Sequence, residues 1–295
     1  MITWPLEIPE GLYEAIYHHA DALEGYSRYA RYAQNVAHER NALTYLGDQE
    51  DMYWAVGEAL RTAPDSRSWR MIDVGSGLGY LTTALRSAGY DCIGIDISAI
   101  AIAQAVARFG PWFERQDVFG PAPEYAGAFD VAFLLETIEH VPDPVAYLAA
   151  VKRWLRPNGR IVLTTPNRDA HPIDARWRSD LPPVHLYWFS ERAVDELADR
   201  VGLVARHTDF TAFNQRHEQT IELGNLDQVP EPSLSADMRP LRPIRLSTRM
   251  MERLHEVPPL ARAARAIYDR GRRNRKRLTS SRSFSIAAIL EAPRP

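Results

Sequence analysis

The chain has a single cysteine, Cys92, so no disulfide can form within it. Cys92 stands in the apolar run "DCIGID", where we expect a buried, unreactive thiol. Folds that depend on internal disulfides are therefore excluded, and a reducing, cytoplasmic location is expected. The opening "MITWPLEIPEGLY" also lacks the basic start and apolar core of a secretory signal.

Long hydrophobic runs and an excess of charge are also missing. No apolar stretch approaches the roughly 20 residues that a membrane-spanning helix needs. The formal net charge is −3, so the chain as a whole offers no attraction to a polyanion. We therefore expect neither a transmembrane segment nor a nucleic-acid partner, and the sequence leaves the oligomeric state open.

Short apolar runs alternate with amphipathic runs from Trp69 onwards. The strand patterns are "WRMIDV", "DCIGID", "WFERQDV", "FDVAFLL", "GRIVLTT" and "LVARHTDF", with "SFSIAAILEA" as a last one. Ser98 and Ser190 are predicted to cap two of the intervening helices, and Asp143 precedes Pro144 at the start of another. "RPNGR" is predicted to be a turn. The alternation predicts an α/β fold with a parallel sheet.

The composition divides the chain into three parts. Residues 1–62 carry helical patterns, including one that starts at a predicted N-cap, Asp48, and are expected to form an N-terminal helical cap. Residues 63–210 and 282–295 form the expected sheet core. Residues 211–281 are rich in Pro and Arg and are predicted to be a helical insertion that also covers the site, part of it mobile.

Three glycines follow the first strand pattern, in "MIDVGSGLGYLTTAL". A strand, a glycine turn and a helix bring backbone N–H groups against a ligand. A dinucleotide fingerprint needs a glycine where this chain has Tyr80, and a P-loop needs a Gly-Lys-Ser/Thr ending that is absent. Read alone, the motif also fits a tight turn without a ligand.

Acidic residues at three successive strand ends favour the ligand interpretation. Asp73 would repel a pyrophosphate but suits an ammonium group. Asp96 is placed for ribose hydroxyls, and Asp117 for an exocyclic amine. Ammonium, ribose and adenine together describe S-adenosylmethionine.

"IDVGSGLGYLT", "IGIDIS", "RQDV", "FDVAFLLETIEHVPDP" and "LRPNGRIVLTTPN" resemble the ordered motifs of class I S-adenosylmethionine-dependent methyltransferases. They most resemble the branch with ubiquinone-biosynthesis O-methyltransferases and sugar and natural-product methyltransferases. The resemblance implies a Rossmann-like seven-stranded sheet of order 3-2-1-4-5-7-6, with the last strand antiparallel. About 70 residues separate the last two strands here, where the family usually has a short hairpin. The implied cofactor contacts are Asp73, Gly75, Ser76, Gly77, Asp96, Ile97, Asp117 and Val118.

A second constellation combines "ETIEH" with a later histidine. Glu136, Glu139 and His140 share one face if the segment turns helically, and His185 follows in "DLPPVHLYWFS". Two carboxylates and two imidazoles could hold one divalent cation, a spacing that resembles the metal site of small-RNA 2′-O-methyltransferases. Without a metal, His140 or His185 could act as a general base. All four side chains could also serve packing alone.

The expected function is methyl transfer from S-adenosylmethionine to a small-molecule or glycan acceptor, most often a hydroxyl of a sugar or vicinal diol. The alternatives are an RNA 2′-O-methyltransferase, a non-catalytic S-adenosylmethionine-binding scaffold or sensor, and a nicotinamide-dependent oxidoreductase. Tyr29, Arg31 or Tyr32 could lie over the cofactor, or their helix could simply cover the sheet.

Overall fold

The computed structural model describes residues 9–21, 23, 26–170, 184–217, 220–222, 239, 275–277 and 281–293. Most of the predicted 211–281 insertion lies outside these ranges. Its described pieces include a short helix, Thr211–Arg216, and a two-stranded antiparallel ladder between Thr220–Glu222 and Arg275–Arg277. The division into cap, core and insertion stays a prediction.

A seven-stranded mixed sheet organises the described chain, in the order β3-β2-β1-β4-β5-β9-β6. β9 runs antiparallel to both of its neighbours, β5 and β6, while the other pairings are parallel. This confirms the predicted order 3-2-1-4-5-7-6. The strands are β1 Arg70–Val74, β2 Asp91–Asp96, β3 Phe113–Arg115, β4 Phe129–Leu135, β5 Leu155–Pro166, β6 Val204–His207, β7 Thr220–Glu222, β8 Arg275–Arg277 and β9 Ser285–Glu291.

The helices begin where the sequence supplies capping groups. The side chains of Ser98, Asp143 and Ser190 each accept a hydrogen bond from the backbone N–H three residues on, which confirms the three predicted caps. The α-helices are α1 Leu12–His18, α2 Ser27–Asn35, α3 Ala42–Gln49, α4 Asp51–Arg61, α5 Tyr80–Ser87, α6 Ala99–Phe109, α7 Pro144–Trp154, α8 Glu191–Arg200 and α9 Thr211–Arg216. None of the helices in these ranges combines the length and apolar character that crossing a membrane requires.

Two local predictions were wrong. Asp48 caps no helix, because it lies inside α3; the chain is extended at Glu50 and α4 begins at Asp51. "RPNGR" belongs to β5, where the pairing with β4 shifts register and Asn158 adopts a φ of 65°. The turn chemistry of Asn158 therefore produces a bulge within a strand.

Both faces of the sheet are covered by helices. Alternate residues of a strand point to opposite faces, so neighbouring residues belong to different cores. Ile72, on one face, belongs to a core that includes α7 and α8. Met71, on the other, shares a core with α3, α4 and α5, and with the buried Cys92, as predicted for that thiol. Helix α4 thus packs directly on β5 and β9 of the sheet, and α3 packs on α4 and α5.

The start of α4 is joined to the last strand by a buried carboxylate. Asp51 accepts hydrogen bonds from the backbone N–H and the hydroxyl of Ser285, both at 3.0 Å. Asp51 is only 5% exposed. This contact connects two parts of the chain that are 234 residues apart.

Candidate active site

The loop after β1 needs its three glycines, since Gly75, Gly77 and Gly79 have φ values of 79°, 52° and 79°. A Cβ on Gly75 would meet the methyl group of Thr137 at 2.5 Å, and one on Gly79 would meet Phe113 at 2.6 Å. These two glycines therefore permit close packing within the protein. At Gly77 a Cβ would meet the Tyr17 hydroxyl at 3.0 Å, beside the open cavity.

Asp73 and Asp96 stand on either side of this loop, both buried. The hydroxyl of Thr82 donates to Asp73 at 2.7 Å, and burial raises the pKa of Asp73 to about 7. Asp96 accepts from the backbone N–H of Gly77 and of Ser98, both at 2.9 Å, and burial raises its pKa as well. Both carboxyls thus favour a ligand that brings them donors or positive charge.

A cavity of about 800 Å³ opens over the carboxyl ends of the central strands. All eight residues predicted to contact the cofactor line it: Asp73, Gly75, Ser76, Gly77, Asp96, Ile97, Asp117 and Val118. Glu136, His140 and His185 line the same cavity. The predicted cofactor contacts and the residues of the "ETIEH" group therefore line the same cavity.

Helix α1 forms part of the cavity wall, since Tyr13, Ile16 and Tyr17 line it. The Glu14 carboxylate accepts from the Ser98 hydroxyl at 2.6 Å and from the N–H groups of Ala99 and Ile100, at the start of α6. Tyr17 makes a long, weak contact of 3.4 Å with Asp96. Sequence reasoning missed these contacts, because nothing local to residues 12–18 identifies partners some 80 positions away.

Glu139, His140 and His185 form a compact group. One ligand atom from each lies within 4.8 Å of the other two. The rings of His140 and His185 meet edge to face, with centroids 4.5 Å apart. Tyr13 of α1 packs against the other side of His140, at 6.0 Å. Among the residues that the structure covers, Glu136 does not join this group.

Backbone hydrogen bonds bring the distant His185 to this position. The Leu186 N–H donates to the Glu139 carbonyl at 2.8 Å, and His140 Nδ1 lies 2.7 Å from the Val184 carbonyl. Glu139 is fully buried and accepts from the Thr165 hydroxyl at 2.9 Å. Burial, reinforced by the neighbouring His140, lowers the pKa of His185 well below its usual value.

Glu136 lines the cavity in an unusual conformation. Its φ of 51° is in the left-handed region, which non-glycine residues seldom adopt. The carboxyl end of β4 holds it there, since its N–H donates to the Thr164 carbonyl at 3.1 Å. Backbone strain of this kind costs about 1–3 kcal/mol and is often found at functional sites.

Aromatic side chains of α2, α4 and α5 form a further wall. Tyr29, Tyr53 and Tyr80 all line the cavity, and so does Arg28. Tyr32 is buried beneath them and donates to Glu50 at 2.6 Å. Of the three N-terminal residues suggested to lie over the cofactor, Tyr29 is the one that borders the cavity.

The chain matches the methyltransferase domain family over residues 30–208, which is more than half of its length. It belongs to that family. Its methyl donor is S-adenosylmethionine, as the resemblance implied. The structure is compatible with this cofactor, because Gly77 and the three strand-end acids predicted to contact it, Asp73, Asp96 and Asp117, line one cavity.

Curated relatives match a shorter region. The ubiquinone biosynthesis O-methyltransferase of Aromatoleum aromaticum is 33% identical over 105 residues, which are 34% of this chain and 45% of that protein. The enzyme of the same name from Thiobacillus denitrificans is 37% identical over 108 residues, 34% of this chain and 46% of that protein. The matched region therefore spans less than half the length of these relatives.

Solved structures share the fold. The YcgJ protein of Bacillus subtilis superposes with a TM-score of 0.50 at 17% identity, covering 82% of this chain and all of that one. A Thermotoga maritima protein described as a methyltransferase, possible histamine N-methyltransferase, gives 0.50 at 12% identity, covering 95% and 100% of the two chains. At these identities the likeness concerns the fold alone.

Proposed function

We propose that this protein transfers the methyl group of S-adenosylmethionine to a hydroxyl of a small-molecule or glycan acceptor, most often a sugar or vicinal diol. His140 is the general base in this proposal. The observation that carries it is that His140 borders the same cavity as the glycine loop and the three strand-end acids. The O-methyltransferase names of the curated relatives agree with oxygen as the methylated atom.

The hydrogen bonds of His140 favour a base role. A carbonyl oxygen only accepts, so the contact of His140 Nδ1 with the Val184 carbonyl assigns the proton to Nδ1 in the neutral ring. Nε2 then carries the lone pair. It lies 3.8 Å from the Glu139 carboxylate, which would stabilise the imidazolium that forms when Nε2 takes a proton.

His185 is suited to a neutral supporting role. Because its pKa is lowered, it stays uncharged at neutral pH and does not compete for the proton. Its ring also presents an edge-to-face contact that restricts the orientation of His140. A base with its tautomer and orientation fixed in this way contributes about 10²–10⁴-fold to the rate.

These positions assign a separate role to the cofactor, to the residues that bind it and to His140. S-adenosylmethionine supplies an electrophilic methyl carbon. The residues around Gly77 and Asp96 bind and orient it, while His140 removes the proton of the acceptor hydroxyl as the hydroxyl attacks.

A metal-assisted version is supported by the spacing of Glu139, His140 and His185. Their ligand atoms lie within 4.8 Å of one another, and two bonds of about 2.2 Å span at most roughly 4.4 Å, so a small movement of the side chains would bring all three onto one ion. Two imidazoles and a carboxylate suit Zn²⁺, Fe²⁺, Mn²⁺ or Co²⁺ better than Mg²⁺. The ion would lower the pKa of the acceptor hydroxyl and orient it. The proposed set has three ligands, with Glu136 outside it.

An RNA acceptor is disfavoured by the charge of the cavity. Six carboxylate side chains line it, namely Glu50, Asp51, Asp73, Asp96, Asp117 and Glu136. A phosphate backbone would need positive partners at these places.

The test is a turnover assay with a panel of sugars, catechols and other diols, with amines and short RNAs as competing classes. His140→Ala is expected to lower kcat about 10²–10⁴-fold while the affinity for S-adenosylhomocysteine stays within twofold. His38→Ala, at an exposed site, is the matched control. Methylation of amines or RNA but no hydroxyl compound, or full activity of His140→Ala, would contradict the proposal.

Activity measured in a chelator distinguishes the metal-free mechanism from the metal-assisted one. If the base acts alone, activity persists in EDTA. If a metal is used, EDTA removes activity, a divalent cation restores it, and His185→Ala abolishes the restoration. With a metal bound, both imidazoles must be neutral, so activity is expected to fall below about pH 6.

A further inference from the structure

Helix α1 places two tyrosines, about one helical turn apart, against two different parts of the site. Tyr13 and Tyr17 both line the cavity. Tyr13 packs edge to face on the ring of His140, with centroids 6.0 Å apart and an interplanar angle of 88°. Residues four positions apart share one face of a helix. A ligand that pushes on one of these tyrosines therefore acts on the helix face that carries the other.

Tyr17 covers the glycine loop at the point where the cofactor is expected. A Cβ on Gly77 would meet the Tyr17 hydroxyl at 3.0 Å and its ring carbon Cε1 at 3.2 Å, so the ring lies directly over the bare backbone. The same hydroxyl is 3.4 Å from Oδ2 of Asp96. A ligand that rests on Gly77 and binds Asp96 needs the space that this ring occupies.

The hydrogen-bonding capacity of Asp96 leads to the same competition. Each oxygen of a carboxylate accepts about two hydrogen bonds. Oδ1 accepts from the Ser98 N–H and Oδ2 from the Gly77 N–H, both at 2.9 Å. The remaining capacity, about one bond on each oxygen, matches the two adjacent hydroxyls of a ribose. The Tyr17 hydroxyl takes the place on Oδ2, and its length makes it the weakest of the three contacts.

Glu14 provides a fixed point between the two tyrosines. Its carboxylate accepts from the Ser98 hydroxyl and from two N–H groups at the start of α6. Helix α1 is seven residues long. Packed helices respond to ligands by shifts of about 1–2 Å, so a helix held at its middle can tilt as a unit. A displacement at Tyr17 then reaches Tyr13 without detaching the helix.

The base is at the other end of this arrangement. His140 is enclosed between the ring of Tyr13 and the ring of His185. We propose that Tyr13 is a positioning residue for His140 and that cofactor binding controls it through Tyr17. The ribose takes the place of the Tyr17 hydroxyl at Asp96, and α1 carries the displacement to Tyr13. The consequence for catalysis rests on the proposed function, in which His140 is the base and is set in position only after the cofactor has bound.

The sign of one affinity change tests the step at Tyr17. Tyr17→Phe keeps the ring but removes the hydroxyl that the ribose has to displace. Calorimetry should show that this variant binds S-adenosylhomocysteine about 2- to 10-fold more tightly than the parent protein, as expected when one neutral hydrogen bond no longer competes. Unchanged or weaker binding would overturn the proposal, and weaker binding would make Tyr17 a direct contact of the cofactor. His18→Ala, exposed on the same helix, is the matched control and should bind as the parent protein does.

The ring resonances of His140, followed by NMR in EDTA and assigned with His140→Gln, test the transmission. Adenosine carries the ribose but lacks the amino-acid portion of the cofactor, so it brings no amino-acid group towards the base. At saturation, adenosine should shift the His140 signal in the parent protein. Tyr13→Leu should abolish this shift while the affinity for adenosine stays within twofold. A shift retained in Tyr13→Leu, no shift in the parent protein, or adenosine that does not bind would each overturn the proposal.

Turnover distinguishes this proposal from the proposed function. Tyr13→Leu should lower kcat about 10- to 100-fold, because the base is misplaced, while the KM for S-adenosylmethionine stays within twofold. An unchanged kcat would overturn the role of Tyr13. The calorimetry and the NMR require neither an acceptor nor turnover. The coupling through α1 can therefore fail while His140 remains the base, or hold while His140→Ala is fully active.

Discussion

Asp73 illustrates, at the scale of one residue, how a site can be arranged at the expense of stability. Its carboxyl is 3% exposed and its pKa is raised to about 7, mainly by burial. In the unfolded chain the same group ionises near pH 4. The folded state therefore loses stability as the pH rises from about 4 to 7, because only the unfolded state releases this proton there.

Asp73→Asn should remove this loss. The amide keeps an oxygen that can accept from Thr82, so we expect the free energy of unfolding at pH 8 to rise by roughly 2–4 kcal/mol, with little change at pH 4. Urea unfolding at both pH values measures it, with the exposed Asp199→Asn as control. The same variant should bind S-adenosylmethionine more weakly. Equal shifts at both pH values would show that Asp73 is not the titrating group.

The residues that sequence reasoning could find are those whose role is visible within a short motif. Asp96 and Asp117 occur near the ends of predicted strands, and the glycines occur between a strand and a helix pattern. Arg28 and Glu14 carry no such signal. Their significance arises from contacts across the fold, with Glu50 for the one and Ser98 for the other.

At the scale of elements, the position of α1 depends on a charged contact with another helix. Glu14 occupies the N-terminus of α6, where the first N–H groups have no partner within the helix. A carboxylate there is stabilised by both the hydrogen bonds and the helix dipole. Although burial alone would raise the pKa of Glu14, the contacts with Ser98 and the two backbone N–H groups lower it.

Glu14→Ala should release α1 from its contact with the start of α6. We expect proteolysis within residues 12–18 to become at least several-fold faster, and the free energy of unfolding to fall by about 1 kcal/mol. Glu10→Ala, at an exposed position before α1, is the control. If both variants are cleaved at the rate of the parent protein, the Glu14 contact does not hold the helix.

Element types were more predictable than their boundaries. The caps at Ser98, Asp143 and Ser190 were correct because capping is a local interaction over three residues. "RPNGR" was assigned to a turn because Pro and Asn-Gly favour one, yet pairing with β4 continues past it. Whether such a segment reverses or bulges is decided by its neighbour strand, which short-range patterns do not contain.

At the scale of the whole molecule, β9 connects the sheet to the helices that precede it in the sequence. The order of the sheet places β9 between β5 and β6, and Asp51 ties β9 to the helix layer. The strand order was predicted from the family resemblance, whereas no sequence pattern predicted the contact between Asp51 and Ser285.

Asp51→Ala should destabilise the whole fold by about 1–3 kcal/mol, because it leaves the buried N–H and hydroxyl of Ser285 without their acceptor. Thermal and urea unfolding monitored by circular dichroism would measure this loss as a single cooperative shift. Asp48→Ala, three residues earlier and 49% exposed at the side chain, should change stability by less than 0.5 kcal/mol, roughly the usual limit for surface sites. Equal losses of stability in the two variants would mean that the buried contact does not contribute to the free energy of unfolding.

The position of β9 late in the sequence also determines when the sheet can be completed during translation. About 80 residues separate the end of β6 from the start of β9, and at about 5–20 residues per second their synthesis takes roughly 4–16 s. During that interval the growing chain presents the edge of β5 without a partner, and β6 has no sheet to join. Exposed strand edges of this kind bind other strands readily. We therefore expect the nascent protein to depend most on chaperones between the synthesis of β6 and the synthesis of β9.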